Sequence, residues 1–77
     1  MAMNTTDYIS VWFDSTSDDH AWIVDRCDNY GYSDTVKIYA FVTKEDEDEY
    51  ANEYNAAEKQ ARSFARKYAK RTGLEIR

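Results

Sequence analysis

Thr35-Val36-Lys37-Ile38-Tyr39-Ala40-Phe41-Val42-Thr43 runs straight into Lys44-Glu45-Asp46-Glu47-Asp48-Glu49-Tyr50, and the fold turns on the change of period at that junction. Before it, apolar and aromatic residues alternate with a period of two. Val36, Ile38, Ala40 and Val42 lie on one face, with Lys37, Tyr39 and Phe41 on the other, as in a strand. After it, Tyr50, Tyr54, Ala57, Ala61, Phe64 and Tyr68 recur at spacings of 4, 3, 4, 3 and 4, the seam of one long helix near 44–72. Thr43 can cap this helix, and the acids of its first turns, with Lys67, Lys70 and Arg71 in its last, complement the helix dipole. Gly73 follows as a stop.

Working outward, Tyr8-Ile9-Ser10-Val11-Trp12-Phe13 alternates as a strand, and Asp14-Ser15-Thr16-Ser17-Asp18-Asp19 is a run of turn formers. The segment from His20 to Tyr30 reads two ways. As a strand, favoured because Trp22-Ile23-Val24 is a poor helix core, it forms a hairpin with the first strand. As a second short helix over 17–30, Ser17 caps it and Ile23, Cys27 and Tyr30 share a face. Leu74-Glu75-Ile76 suits a short closing strand. The expectation is an α+β fold in one domain spanning 1–77, with residues 1–6 a frayed leader. A small antiparallel sheet of about three strands plus a short C-terminal one packs against one long helix. Its inner face would be Ile9, Val11, Phe13, Ile23, Val36, Ile38, Ala40 and Val42. That leaves Tyr8, Trp12, Trp22, Tyr39 and Phe41 on an uncovered outer face.

The 77 residues are 43% hydrophobic and 16% aromatic, a folding composition, with two glycines and no proline. The net charge of -5 is unevenly spread: residues 1–58 hold 14 acids and 3 bases (-11), residues 59–77 hold 7 bases and 1 acid (+6). A lone cysteine, Cys27, excludes an internal disulfide, and one His with one Cys makes a zinc site implausible. The longest apolar run, Ile38 to Val42, is five residues. A membrane span needs about 20 and a signal peptide a core of about 7–15. A cytoplasmic protein without a membrane partner is expected.

No catalytic signature accompanies these features. His20 and Cys27 come without an oxyanion loop or nucleophile elbow, the acidic loop lacks the glycine and final glutamate of an EF-hand, and no phosphate-binding glycine motif occurs. Neither an enzyme nor a cofactor or metal is expected. Three constellations remain. Glu45-Asp46-Glu47-Asp48-Glu49, joined by Asp14, Asp18, Asp19, Asp25, Asp28 and Asp34, could dock a basic surface or imitate DNA phosphates, beside the plainer reading of a solvated helix end. Tyr8, Trp12, Trp22, Tyr39 and Phe41 could anchor a partner, or be covered by a second copy. Lys59, Arg62, Arg66 and Lys70 form a basic helix stripe. Direct nucleic-acid binding through it is disfavoured by the -11 of residues 1–58, which repels the same phosphates.

Lys37-Ile38-Tyr39-Ala40-Phe41-Val42, the acid-started helix with Ala57, Ala61, Ala65 and Ala69, and Thr72-Gly73-Leu74-Glu75-Ile76 resemble small phage-encoded proteins in architecture. Anti-CRISPR proteins and phage inhibitors of host RNA polymerase are acidic single domains of this kind. The resemblance spans residues 35–76 and implies an anti-defence role as a stoichiometric inhibitor that occludes a surface on a larger host enzyme. The expectation is a small acidic protein-binding module of that type. Its partner would be a larger protein with a basic or nucleic-acid-binding surface. The alternatives are a self-assembling homo-oligomer such as a homodimer, and nucleic-acid binding through the basic stripe.

Overall fold

The computed structural model describes residues 7–16, 19–43 and 45–77. Its elements run β1 (Tyr8–Asp14), β2 (Asp19–Cys27), β3 (Ser33–Val42), α1 (Glu47–Thr72) and β4 (Glu75–Ile76). The fold is α+β, with four strands in the order β3-β2-β1-β4 and one long helix packed against them. The segment with two readings is a strand, β2, central in the sheet. β4 pairs parallel to β1 while the other pairings are antiparallel, so the sheet is mixed. The expected leader, residues 1–6, lies outside the described residues.

The helix starts three residues later than Thr43 suggested. Asp46 is the cap, its carboxylate accepting from the backbone N–H groups of Asp48 (2.9 Å) and Glu49 (3.1 Å). Such a cap is worth about 1 kcal/mol. Glu47, Asp48 and Glu49 occupy the first turn, Lys70 and Arg71 the last. Gly73 ends the helix at φ 78°, a left-handed conformation natural to glycine, and donates its N–H to the Ala69 carbonyl.

What the helix buries is an alanine ridge. Ala57, Ala61 and Ala65 are its buried residues, with Tyr54, Phe64 and Tyr68 half-buried beside them. Ile9 and Val24, fully buried, lie in the same cluster, which Leu74 completes. Each such side chain contributes about 1.5–3 kcal/mol by leaving water.

The ridge decides which sheet face points inward, and here the expected assignment is corrected. Ile9, Val11 and Phe13 do face the helix, but their cross-strand partners set the rest. Phe13 opposes Trp22, which opposes Tyr39; Val11 opposes Val24. Trp22, Tyr39 and Phe41 therefore pack under the helix, and Trp22 is buried. Ile23, Ile38, Ala40 and Val42 belong to the opposite face. Both alternating sets on β2 and β3 are apolar, so alternation alone does not choose between them. Volume does: a helix that presents methyl groups leaves space beside its ridge, and the larger rings fill it. At one end Phe13, His20, Trp22, Phe41, Tyr50 and Tyr54 form a continuous aromatic cluster, with centroid separations from 4.9 to 6.4 Å.

Close approach along the alanine ridge carries a stability prediction. Ala61 has no exposed surface, so Ala61→Leu should overpack the helix–sheet contact and cost about 1–3 kcal/mol. Thermal unfolding should show a midpoint lowered by roughly 4–8 °C per kcal/mol, and an unchanged midpoint would refute the close-packed ridge.

Candidate protein-docking surface

One helix covers one face of the sheet, and among the described residues no element covers the other. Trp12, Ile23 and Ile38 lie side by side across β1, β2 and β3, next to Ala21 and Ala40, with Val42 beyond. Ala21 and Ile23, on the central strand, are shielded by their neighbours, but Trp12 is 41% exposed, Ile38 53% and Val42 60%. These residues form a contiguous apolar patch on three adjacent strands.

A buried carboxylate organises the patch. Asp25, 8% exposed, accepts from Trp12 Nε1 at 2.9 Å and from Thr35 Oγ1 at 3.1 Å. Thr35 reaches it because of a bulge. Val24 opposes Lys37 and Asp25 opposes Thr35, so Val36 has no partner and Thr35 is brought to the face of Asp25. The indole of Trp12 is thereby held across the open face by its polar edge. Trp22 Nε1, under the helix, is buried without an acceptor among the described residues, while the Arg62 guanidinium lies 5.4 Å from the Trp22 ring centroid.

The charges divide by face and by end. Asp14 and Asp19 flank the open face at the end where the helix begins, close to Glu45, Asp46, Glu47, Asp48 and Glu49. The Asp14 carboxyl is held below its ordinary value by the Thr16 hydroxyl and then the Thr16 amide, so it stays ionised. Glu75 flanks the other end. The cation of the open face among the described residues is Arg77, stacked 4.6 Å over the Tyr8 ring and paired with Glu75 at 2.6 Å. Lys59, Arg62, Arg66, Lys67, Lys70 and Arg71 all project from the helix, on the far side of the sheet.

Of the candidate residues, Tyr8 and Trp12 lie on the open face, whereas Trp22, Tyr39 and Phe41 belong to the covered one. The acids do not form one field. Asp28 shapes the β2–β3 turn, accepting from the backbone N–H groups of Tyr30 (2.8 Å) and Tyr32 (3.0 Å). Asp34, opposite Arg26, is at that same end, away from the helix N-terminus. Asp25 is buried, Asp46 caps the helix, and Asp18 lies outside the described residues. The basic stripe also splits: Arg62, paired with Glu58 at 2.9 Å, and Arg66 line a depression with Val11 and Ile76, whereas Lys59 leans toward β3. Ile38 and Val42 join the exposed set in place of the three rings under the helix. The alanine repeat at 57, 61 and 65 is the sequence signal that the sheet would supply the bulk.

His20 and Cys27 are not brought together. They occupy opposite ends of β2, about 23 Å apart at ~3.3 Å per residue, and on opposite faces. His20 Nδ1 lies 2.8 Å from the Tyr50 hydroxyl. Among the described residues no three His, Cys, Asp or Glu side chains are grouped to hold a metal ion. No described helix is long and apolar enough to cross a membrane. Comparison with known proteins finds no matching family model, no matching curated protein and no matching solved structure.

Two outcomes follow from these contacts. Asp25→Ala strands the Trp12 indole N–H and the Thr35 hydroxyl, and should cost about 1–3 kcal/mol with a red shift in tryptophan emission. Unchanged stability and emission would show that the carboxylate holds nothing. Burial, then the Asp25 charge, pushes the Cys27 thiol above its usual value, against a hydrogen bond with Tyr8 that lowers it. Its thiolate fraction near neutral pH falls accordingly, so iodoacetamide should label Cys27 more slowly in the folded chain than in denaturant. Equal rates would contradict that environment.

Proposed function

We propose that the chain is a protein-binding module that seats the open face of its sheet on a basic, nucleic-acid-binding surface of a larger protein and so acts as its stoichiometric inhibitor. The observation that carries this reading is the composition of the open face. It pairs an exposed apolar centre of Trp12, Ile38 and Val42 with acids at its rims, and its described cation, Arg77, is already paired. The remaining helix bases stand on the other side of the molecule.

An apolar centre supplies affinity when a partner removes it from water, and an acidic rim favours a basic partner and speeds encounter. Trp12 is suited to anchor such a contact, because its indole is already fixed by Asp25 and loses little freedom on docking. Glu45, Asp46, Glu47, Asp48 and Glu49 extend the negative field beyond the rim at one end. The architectural resemblance to phage-encoded inhibitors of host enzymes points the same way. Face-to-face pairing of two copies would bury the same patch, but each copy brings an acidic rim and no free described cation to meet it.

A panel of basic nucleic-acid-binding enzymes, RNA polymerase and RNA-guided nucleases among them, tests the reading. At least one should bind the chain at equal stoichiometry and lose its own duplex binding. The association rate should fall about tenfold or more as salt rises from low to physiological levels. Ile38→Lys and Val42→Lys, at exposed positions that leave the fold intact, should abolish the complex. A panel without a binder, or a complex indifferent to both substitutions and to salt, would overturn the proposal. Sedimentation of the free chain as a dimer disrupted by Ile38→Lys would transfer the patch to self-association.

A further inference from the structure

Beyond β3 the sheet ends, and the flank of α1 overhangs that edge. Beneath it lies a groove of about 430 Å³, lined by Tyr39 from β3 and by Lys59, Gln60, Ser63, Phe64 and Lys67 from the helix. This is within the ~300–1,000 Å³ range of small-ligand sites. The Tyr39 and Phe64 rings meet at 65° with centroids 6.4 Å apart and provide an aromatic floor. Lys37 Nζ sits 5.8 Å from the Tyr39 centroid, a third ammonium at the rim.

The lining contains ammonium, amide and hydroxyl groups and no carboxylate. Among the described residues, Lys37, Lys59 and Lys67 take part in none of the ion pairs. A groove with this chemistry selects a ligand that is flat and anionic. Its two helix lysines are eight residues apart, about 12 Å along the axis at 1.5 Å per residue, and Phe64 lies between them. Successive phosphates of a strand lie about 6–7 Å apart, so two nucleotides of a single strand match that span, with a base to stack on the rings and the outer phosphates at the two lysines.

The -11 of residues 1–58 repels phosphates only where its acids stand close to the groove. Most of the described acids lie at the helix N-terminus, on the open face or in the far turn; Asp7 pairs with Arg26, and Glu58 pairs with Arg62 on the β1 flank of the helix. Glu53, the nearest acid along this flank of the helix, precedes Lys59 by six residues, about 9 Å of axial rise.

We infer that this groove binds a two-nucleotide segment of single-stranded nucleic acid, a base against Tyr39 and Phe64 and its outer phosphates at Lys59 and Lys67, with Lys37 nearby. The groove shares no residue with the open face, so the two proposals fail independently.

The test titrates the full chain into a fluorescein-labelled oligothymidylate at low salt and follows anisotropy. Binding should weaken with salt at a log–log slope of about -2, from ~0.7 per neutralised phosphate at three lysines. Lys59→Gln with Lys67→Gln, both at exposed positions, should keep the helical circular dichroism and reduce the slope to about -0.7. Ring proton resonances of Tyr39 and Phe64 should move on binding. The inference is overturned by absence of binding at low salt. It also fails if binding survives the double substitution but is lost in Lys70→Gln with Arg71→Gln, which would put the strand at the helix C-terminal end. Competition by thymidine monophosphate at the same nucleotide concentration would remove the two-phosphate strand reading.

Discussion

The contact between the alanine ridge of α1 and the strands β1 and β2 is the constraint on which the other features rest. Ala57, Ala61 and Ala65 bring the helix close to Ile9 and Val24, and that closeness sets what must fill the space on either side. The large rings of Phe13, Trp22, Tyr39 and Phe41 are drawn inward to do so. With a bulkier helix seam, the smaller set of Ile23, Ile38, Ala40 and Val42 could have faced the core instead. The helix thus determines which residues are left on the outside of the sheet.

Two surfaces follow from that choice. The outer face keeps the aliphatic residues of β3, with the Trp12 indole held across it by Asp25. The covered face sends Tyr39 to the sheet edge beside Phe64, where the helix lysines overhang it. Charge divides along the same lines, because the helix bases stand on the helix side of the sheet while Asp14 and Asp19 flank the open face. A chain of net charge -5 therefore offers a partner two faces of opposite character.

Several acids that look free in sequence have local work. Asp46 caps the helix, Asp28 closes the β2–β3 turn, Asp14 binds Thr16, and Asp25 anchors Trp12. Each satisfies backbone or side-chain donors that would otherwise go unpaired. The acidic surplus available for long-range attraction is correspondingly smaller. It concentrates where β1 ends, β2 begins and the helix starts.

The order of elements, the long helix with its glycine stop and the opposed charge of its ends were legible in the sequence. They depend on local periodicity, capping chemistry and the helix dipole, which neighbouring residues settle among themselves. The strand reading of β2 was favoured on propensity, while the cap moved from Thr43 to Asp46 because the acid run itself supplies a better acceptor. The inward face of β2 and β3 was not legible. Both of their alternating sets are apolar, and only the volume left beside three alanines distinguishes them. The Asp25 anchor, the bulge at Val36 and the groove at Tyr39 and Phe64 likewise belong to tertiary structure. Each joins residues from different elements, whose registers are set when the helix meets the sheet.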